Sequence, residues 1–313
     1  MAFMFDGHKP LALGCMGLSG TWNPDDLSPA NTRRAINAFE AALVAGITLF
    51  DHADIYGGGT CESVFKECLA AFPDVRGDIQ IWTKGGIRAG YFDFSPAYLR
   101  ECIERSRQRM GIDTIDLFQL HRPDPLAHPR DTAKVLQDAL DAGHIKAVGV
   151  SNFFPEQMRA LQTFLDAPIV THQWELHILR LQPFYEGWQF PEFGGYSGGM
   201  GATGDGTLDF CLAHGITPLA YAPLAIGKLT RTDSEEGRER DVQDVLGDFA
   251  LKYDATRAQI ALAWLRTHPA GIIPVVGSAN PQHIFEAAQK TDLRLEREDW
   301  YALTKASWGR NMP

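Results

Sequence analysis

The sequence predicts a closed (β/α)8 barrel of the TIM type, an α/β fold built as a single domain over residues 1–313. Three observations predict it. Eight short β-rich runs alternate with longer stretches whose apolar residues recur at spacings of three and four. The turn after the first run, Gly14-Cys15-Met16-Gly17-Leu18-Ser19-Gly20, lacks the GxGxxG spacing with which an open doubly wound sheet usually announces a dinucleotide site. Polar residues gather at the C-terminal ends of several runs, the end at which a parallel barrel carries its site.

The strands are expected at 11–14, 47–51, 79–84, 115–121, 147–151, 169–173, 217–221 and 272–276. The helices are expected at 32–45, 62–71, 96–110, 132–142, 155–165, 206–214, 242–253 and 281–290, with an additional one at 255–268. Ser95-Pro96 places a cap candidate before a proline suited to the first helical position, and Ala142-Gly143 supplies a helix end. From about 177 to 206 the rhythm breaks. The later part of this stretch is rich in glycine and carries Phe184, Tyr185, Trp188, Phe190, Phe193 and Tyr196. A long loop after strand six, at the catalytic face, reads as a cover over the substrate, or else as a flap folded on its own aromatics.

Composition narrows the function. The chain has 313 residues, 45% hydrophobic, and a formal net charge of -10, which disfavours nucleic acid as a partner. No apolar segment reaches the roughly 18 residues of a membrane span, and no secretory signal precedes the first strand, so a cytoplasmic location is expected. The five cysteines are scattered, which suits reduced thiols. Nothing in the composition reveals an oligomeric state.

The chemistry-bearing residues follow strand ends. Phe50-Asp51-His52-Ala53-Asp54-Ile55-Tyr56-Gly57 closes the second run, Lys84 the third and His121 the fourth. A free phenol, with a pKa near 10, is a poor acid at neutral pH, and a nearby ammonium lowers that value. Lys84 is expected to do this for Tyr56, with Asp51 holding Lys84 charged and His121 orienting a carbonyl oxygen. Such a set suits proton transfer to an oxyanion, or its abstraction from an alcohol. It offers no strong nucleophile and a poor set of metal ligands, so no metal is expected. The electrons must come from a hydride donor. Taken singly, Asp51 also suits a loop cap, Lys84 a solvated strand end and His121 a core histidine.

The ordered segments Phe-Asp-His-Ala-Asp-Ile-Tyr-Gly at 50–57, Thr-Lys-Gly at 83–85, His-Arg-Pro-Asp at 121–124, Gly-Val-Ser-Asn-Phe at 149–153, His-Gln-Trp-Glu at 172–175, Tyr-Ala-Pro-Leu at 221–224 and Pro-Val-Val-Gly-Ser at 274–278 span nearly the whole chain. Together they resemble the aldo-keto reductase superfamily, closest to its bacterial and potassium-channel β-subunit-like branch. The resemblance implies the same barrel, NAD(P)H-dependent reduction of carbonyls, and Asp51, Tyr56, Lys84 and His121 as a catalytic tetrad with Tyr56 as the acid. Ser151, Asn152 and Gln173 resemble the groups that hold the nicotinamide amide, and Tyr221 the aromatic on which the ring stacks. Further cofactor contacts are implied for Met16, Asp51, Ala222, Pro223, Leu224, Gly227, Lys228, Gly277, Ser278, His283 and Glu286. Ser151 and Asn152 also suit a cap for the helix near Pro155. Trp22, Trp82, Tyr56 and His121 are expected around the substrate, and core packing also suits the two tryptophans.

The chain departs from the family pattern after the last strand, where many members carry Lys or Arg for the 2′-phosphate of NADP. Here the segment reads Gly277-Ser278-Ala279-Asn280-Pro281-Gln282-His283. Serine hydroxyls, backbone N–H groups and the helix N-terminus suit a phosphate, with Lys228, Arg238 and Arg240 as added charge. NADP(H) is therefore the expected cofactor, with NAD(H) the alternative. The expected substrate is a small carbonyl or alcohol, and the aromatic mouth favours an apolar or flat one. Two other functions fit the residues less well. A cofactor-binding regulatory subunit has no need of the tetrad, and a Schiff-base lyase or isomerase needs Lys84 neutral beside Asp51.

Overall fold

The structure, a computed structural model, describes residues 5–181, 206–234 and 236–309. Strands β1 (Ala12–Gly14), β2 (Leu49–Asp51), β3 (Gln80–Gly85), β4 (Leu117–Leu120), β5 (Val148–Ser151), β6 (Ile169–Glu175), β7 (Thr217–Tyr221) and β8 (Ile273–Val276) form a closed barrel. Each pairs in parallel with the next, and β8 returns to β1 through Ala12 opposite Val275. The expected (β/α)8 class is thus the observed one.

The helices α1 (Pro29–Val44), α2 (Thr60–Ala71), α3 (Pro96–Met110), α4 (Pro129–Asp141), α5 (Pro155–Gln162), α6 (Thr207–His214), α7 (Arg238–Lys252), α8 (Arg257–Thr267), α9 (Pro281–Ala288) and α10 (Arg297–Trp308) surround it. Helix α1 begins three residues before the expected start because Ser28 accepts a hydrogen bond from the Asn31 N–H and Pro29 takes the first position. Helix α7 begins at Arg238 rather than 242, since its first turn, Arg-Glu-Arg-Asp, is charged and gives no apolar signal. Ser95 occupies the cap position of α3 but makes no side-chain capping bond. Asp93 instead accepts from the Ser95 N–H at 2.9 Å.

Two elements were not expected. A short antiparallel hairpin, Ile87–Arg88 with Tyr91–Phe92, follows β3. Helix α10 packs with Asp299, Trp300, Leu303, Thr304 and Ser307 buried, a face half polar in sequence. Its polar members are bonded inside the protein: Ser307 donates to the Ile178 carbonyl, and Trp264 Nε1 donates to Thr304 Oγ1 at 3.0 Å. The Gly/aromatic loop expected at 177–206 lies outside the described residues from 182 to 205.

Inside the barrel, Ala12, Leu49, Trp82, Leu117, Leu219, Ile273 and Val275 pack as one apolar cluster. A second, larger core fills the space between barrel and helices. The inner packing demands glycine at one point of the wall: a Cβ on Gly149 would lie 2.0 Å from Thr171 Oγ1 and 3.0 Å from Gln119 Cγ. All five cysteines are free and buried. No described helix is long and apolar enough to cross a membrane.

Outward-facing histidines on the wall make the fold sensitive to acid. His52 lies edge-on to the Phe65 ring of α2, with ring centroids 4.4 Å apart, and neither of its ring nitrogens has a partner among the described residues. His172 Nε2 accepts the Phe153 N–H at 3.1 Å, which requires a neutral ring. Burial holds both imidazoles down at about 3, the Lys84 charge adding to the effect at His52. The unfolded chain takes up these protons near pH 6.5, so between 6.5 and about 3 the unfolded state binds more protons. The stabilisation is complete above that window and falls by about 1.4 kcal/mol per histidine per pH unit within it. The melting temperature is therefore expected to drop between pH 7 and 5, and His52→Leu to flatten that drop. An equal slope in the variant contradicts the assignment.

Candidate active site

Residues two apart on a strand share a face, so each inward-facing floor residue has its successor one layer higher in the barrel. Leu49 is followed in this way by Asp51, Trp82 by Lys84, Leu117 by Gln119 and Leu219 by Tyr221. An apolar floor therefore lies directly beneath a polar layer at the C-terminal end. Trp82 belongs to the floor, wholly buried, with Phe5 edge-on at 5.7 Å between ring centroids. It does not wall the mouth, which corrects the expectation from sequence. Its side chain enters the barrel two positions before Lys84, one layer below the polar groups.

The polar layer is organised on one ion pair. Lys84 Nζ donates to both Asp51 carboxylate oxygens and to the His52 carbonyl, each at 2.7 Å. Both side chains are almost fully buried, at 1% and 2% exposed. Gln173 Nε2 and Gln119 Nε2 also donate to Asp51 Oδ1, at 3.0 and 3.3 Å. Burial draws the Lys84 amine below its ordinary value, and the Asp51 carboxylate opposes that shift. Gln119 escaped the sequence reading, although a polar residue at an inward position of an otherwise apolar run was a usable signal.

Tyr56 is presented by the turn after β2. The turn is pinned to β3 by the His52 N–H on the Trp82 carbonyl at 2.8 Å and the Asp54 N–H on the Lys84 carbonyl at 2.9 Å. Gly57, Gly58 and Gly59 follow with φ of +58°, +64° and +98°, a left-handed run that turns the chain into α2. Lys84 Nζ lies 5.2 Å from the centre of the Tyr56 ring. The His121 ring stands edge-on to the same ring, with centroids 6.1 Å apart. Burial, with the Lys84 and Arg122 charges, pushes the His121 imidazole well below its ordinary value, so it is neutral at working pH. Its Nδ1 is buried with no partner among the described residues.

The expectation that Lys84 makes Tyr56 unusually acidic needs correcting. Burial pushes the Tyr56 phenol well above its ordinary value, and Asp51 adds to the rise. The three hydrogen bonds from the ammonium go to Asp51 and the His52 carbonyl, so its charge reaches the phenol only through space.

Ser151 and Asn152 close β5 beside this group. Asn152 has φ of +60° and donates through Nδ2 to the His121 carbonyl at 3.3 Å and to Ser151 Oγ at 2.9 Å. Tyr221 OH donates to Asn152 Oδ1 at 3.4 Å. Neither Ser151 nor Asn152 caps α5: Phe154 is the cap residue, and its N–H donates to Gln157 Oε1 at 2.8 Å. Asp51, Tyr56, Lys84, His121, Ser151, Asn152, Gln173 and Tyr221 thus form one connected set. A half-buried phenol ring beside two carboxamides and a hydroxyl fits a flat heterocycle bearing a carboxamide, the chemistry of a nicotinamide.

The remaining residues from the sequence reading lie on the surrounding rim. Met16 and Trp22 are exposed, and the Met16 carbonyl accepts from Cys61 Sγ at 3.2 Å. Ala222, Pro223, Leu224 and Gly227 form the loop after β7, in which Ala222, Ala225 and Ile226 all hold left-handed φ. Gly277, Ser278, His283 and Glu286 follow β8, with Ser278 Oγ 3.4 Å from His283 Nδ1. The three cations expected near a phosphate are already engaged. Lys228 pairs with Glu239 at 3.1 Å and Arg240 with Asp244 at 2.9 Å, while Arg238 donates to the Leu179 carbonyl at 2.7 Å. No group of three or more His, Cys, Asp or Glu that would hold a metal ion occurs among the described residues.

The chain is 37% identical to a 6-dehydroglucose reductase of Novosphingobium aromaticivorans, covering 100% of this chain and 97% of that one. It is 32% identical to a 6-dehydroglucose reductase of Agrobacterium fabrum, covering 92% and 91%. Among solved structures, glycerol dehydrogenase from Gluconobacter oxydans superposes with a TM-score of 0.78 at 25% identity, covering 95% and 90%. A Klebsiella pneumoniae aldo/keto reductase in complex with NADP and acetate shares the fold, with a TM-score of 0.73 at 22% identity, covering 95% and 90%. Residues 10–307 match the family model described as the Aldo/keto reductase family, and the chain belongs to that family.

Proposed function

We propose that this oxidoreductase reduces a sugar-derived aldehyde to its alcohol, using NADPH, with Tyr56 as the proton donor. One observation carries the reading: a neutral, half-buried phenol stands over the Lys84–Asp51 pair, with the His121 ring at its edge. The cofactor, when bound, supplies the hydride. Ser151, Asn152 and Gln173 would hold its carboxamide, and Tyr221 would offer an aromatic face to its ring. His121, neutral, donates a hydrogen bond to the substrate carbonyl and directs it at Tyr56. Hydride arrival makes that oxygen an alkoxide, a far stronger base than a phenolate, so a phenol of raised pKa still yields its proton to it. Lys84, kept charged by Asp51, stabilises the phenolate left behind.

The two relatives named for 6-dehydroglucose support a polyhydroxylated substrate. So does the rim, where the Arg122 charge acts on the Tyr221 hydroxyl and Trp22, 63% exposed, offers a flat apolar face. The aromatic surroundings are then a platform for a sugar ring rather than a pocket for an apolar group.

Tyr56→Phe is expected to lower kcat by about 10²- to 10⁴-fold, the usual contribution of a general acid, while NADPH still quenches the protein's fluorescence. Unchanged kcat sinks the assignment. NADPH is expected to bind more tightly than NADH in the same titration, and a lower dissociation constant for NADH reverses the cofactor choice. Across a panel of aldehydes, kcat/KM for 6-dehydroglucose is expected to exceed that for benzaldehyde by at least about tenfold, equivalent to roughly 1.4 kcal/mol of recognition. The opposite order removes the substrate proposal and leaves the carbonyl chemistry standing.

A further inference from the structure

On the outer side of the barrel wall two buried carboxylates and two partly exposed guanidiniums form an ionic chain that the proton-transfer chemistry does not itself use. Glu62, in the first turn of α2, is wholly buried, and its Oε1 accepts the Thr83 hydroxyl at 2.7 Å. Thr83 is the residue before Lys84 on β3. Arg109 Nη1, from α3, reaches Glu62 Oε2 at 3.3 Å and donates to the Asp54 carbonyl at 2.8 Å. One helical turn earlier, Arg105 Nη2 donates to Asp54 Oδ2 at 3.1 Å. Asp54 stands two residues before Tyr56. The guanidinium of Arg109 also lies against the turn: a Cβ on Gly59 would come within 2.3 Å of Arg109 Cζ, so only glycine admits it there.

We propose that Glu62, Arg109, Arg105 and Asp54 are positioning residues that tie the strand bearing Lys84 to the turn bearing Tyr56, and so set the distance from ammonium to phenol. The inference rests on the reading of Tyr56 as proton donor. Its physical ground is direction. Apolar packing would fill the same space at less desolvation cost, but it would not fix two backbone segments through oriented bonds. Glu62 and Arg109 join Thr83 to the Asp54 carbonyl by a continuous path and Arg105 holds the Asp54 carboxylate, side-chain bonds that add to the His52 and Asp54 N–H bonds on the Trp82 and Lys84 carbonyls and to the Lys84 bond on the His52 carbonyl. A shift of about 1 Å in a catalytic group costs on the order of 10²-fold in rate, so loosening this tie should register in catalysis.

The test is a double-mutant cycle on the full chain. Arg109→Met is expected to lower kcat by about 10- to 100-fold, with KM and the NADPH dissociation constant changed by less than about twofold. Arg109→Lys, which restores a cation able to reach the Asp54 carbonyl, should recover part of the loss. In a Tyr56→Phe background Arg109→Met should cost nothing more, because the group it positions is gone. Glu62→Gln, nearly isosteric, repeats the cycle should Arg109→Met fail to fold. An unaffected kcat in Arg109→Met, or in Glu62→Gln in its place, overturns the network while a Tyr56→Phe loss leaves the proton-donor reading intact. So does an equal loss in both backgrounds, which marks a purely structural role. Full turnover in Tyr56→Phe alone overturns the proton-donor reading and the network's purpose with it.

Discussion

The Lys84–Asp51 pair is the interaction on which the rest of the molecule depends. Two opposite charges lie at the top of the barrel with almost no access to water. Desolvating each costs several kcal/mol, and their attraction offsets this only when the remaining donors and acceptors are also satisfied. Here they are. The ammonium is shared between the carboxylate and the His52 carbonyl, and Asp51 also accepts from the amides of Gln119 and Gln173. Those partners come from β2, β3, β4 and β6, so the pair is satisfied only if the barrel is closed and in register.

One geometric rule places both halves of this arrangement. Along each strand, side chains alternate between the barrel interior and the helical layer. On the inside, apolar residues form the floor and polar residues follow two positions later, so water is excluded from beneath the charges. On the outside, His52 packs on Phe65 and Thr83 bonds Glu62, although each neighbours a residue of the ion pair. Residues adjacent in sequence thus serve opposite faces of one wall. A perturbation in the helical layer is felt at the site through a strand one residue thick.

The barrel and the inner polar cluster were legible because both are written at short range. Eight apolar runs of strand length, each followed by a helical period, leave few topologies open, and Asp51, Lys84 and His121 all stand at run ends. What stayed hidden depends on depth or on partners far along the chain. Alternation along β3 defines a side for Trp82 but not its level, which is set by the stagger of neighbouring strands. Helix α10 buries Thr304 and Ser307 against polar partners on other elements, so its inner face looks exposed in sequence. Gln119 sat unremarked in an apolar run, and its role is visible only once Asp51 lies within 3.3 Å. The acidity of Tyr56 is illegible in sequence for a related reason: a list of neighbouring charges says nothing of desolvation, and at this position desolvation is the larger effect.

That correction makes the proposed chemistry more coherent. A phenol acidified in the resting state would carry partial negative charge at neutral pH and would repel the oxyanion it is meant to serve. A phenol raised by burial holds its proton until a stronger base forms beside it. The ammonium then matters for the charge that develops on the tyrosine during transfer, and a unit charge at about 5 Å in an effective dielectric near 20 is worth roughly 3 kcal/mol. This differential suits catalysis, since it acts on the charge formed in the reaction and hardly at all on the neutral ground state. It also explains why Asp51 takes so many donors. Each bond keeps the carboxylate turned toward Lys84 and away from the phenol, whose ionisation it opposes.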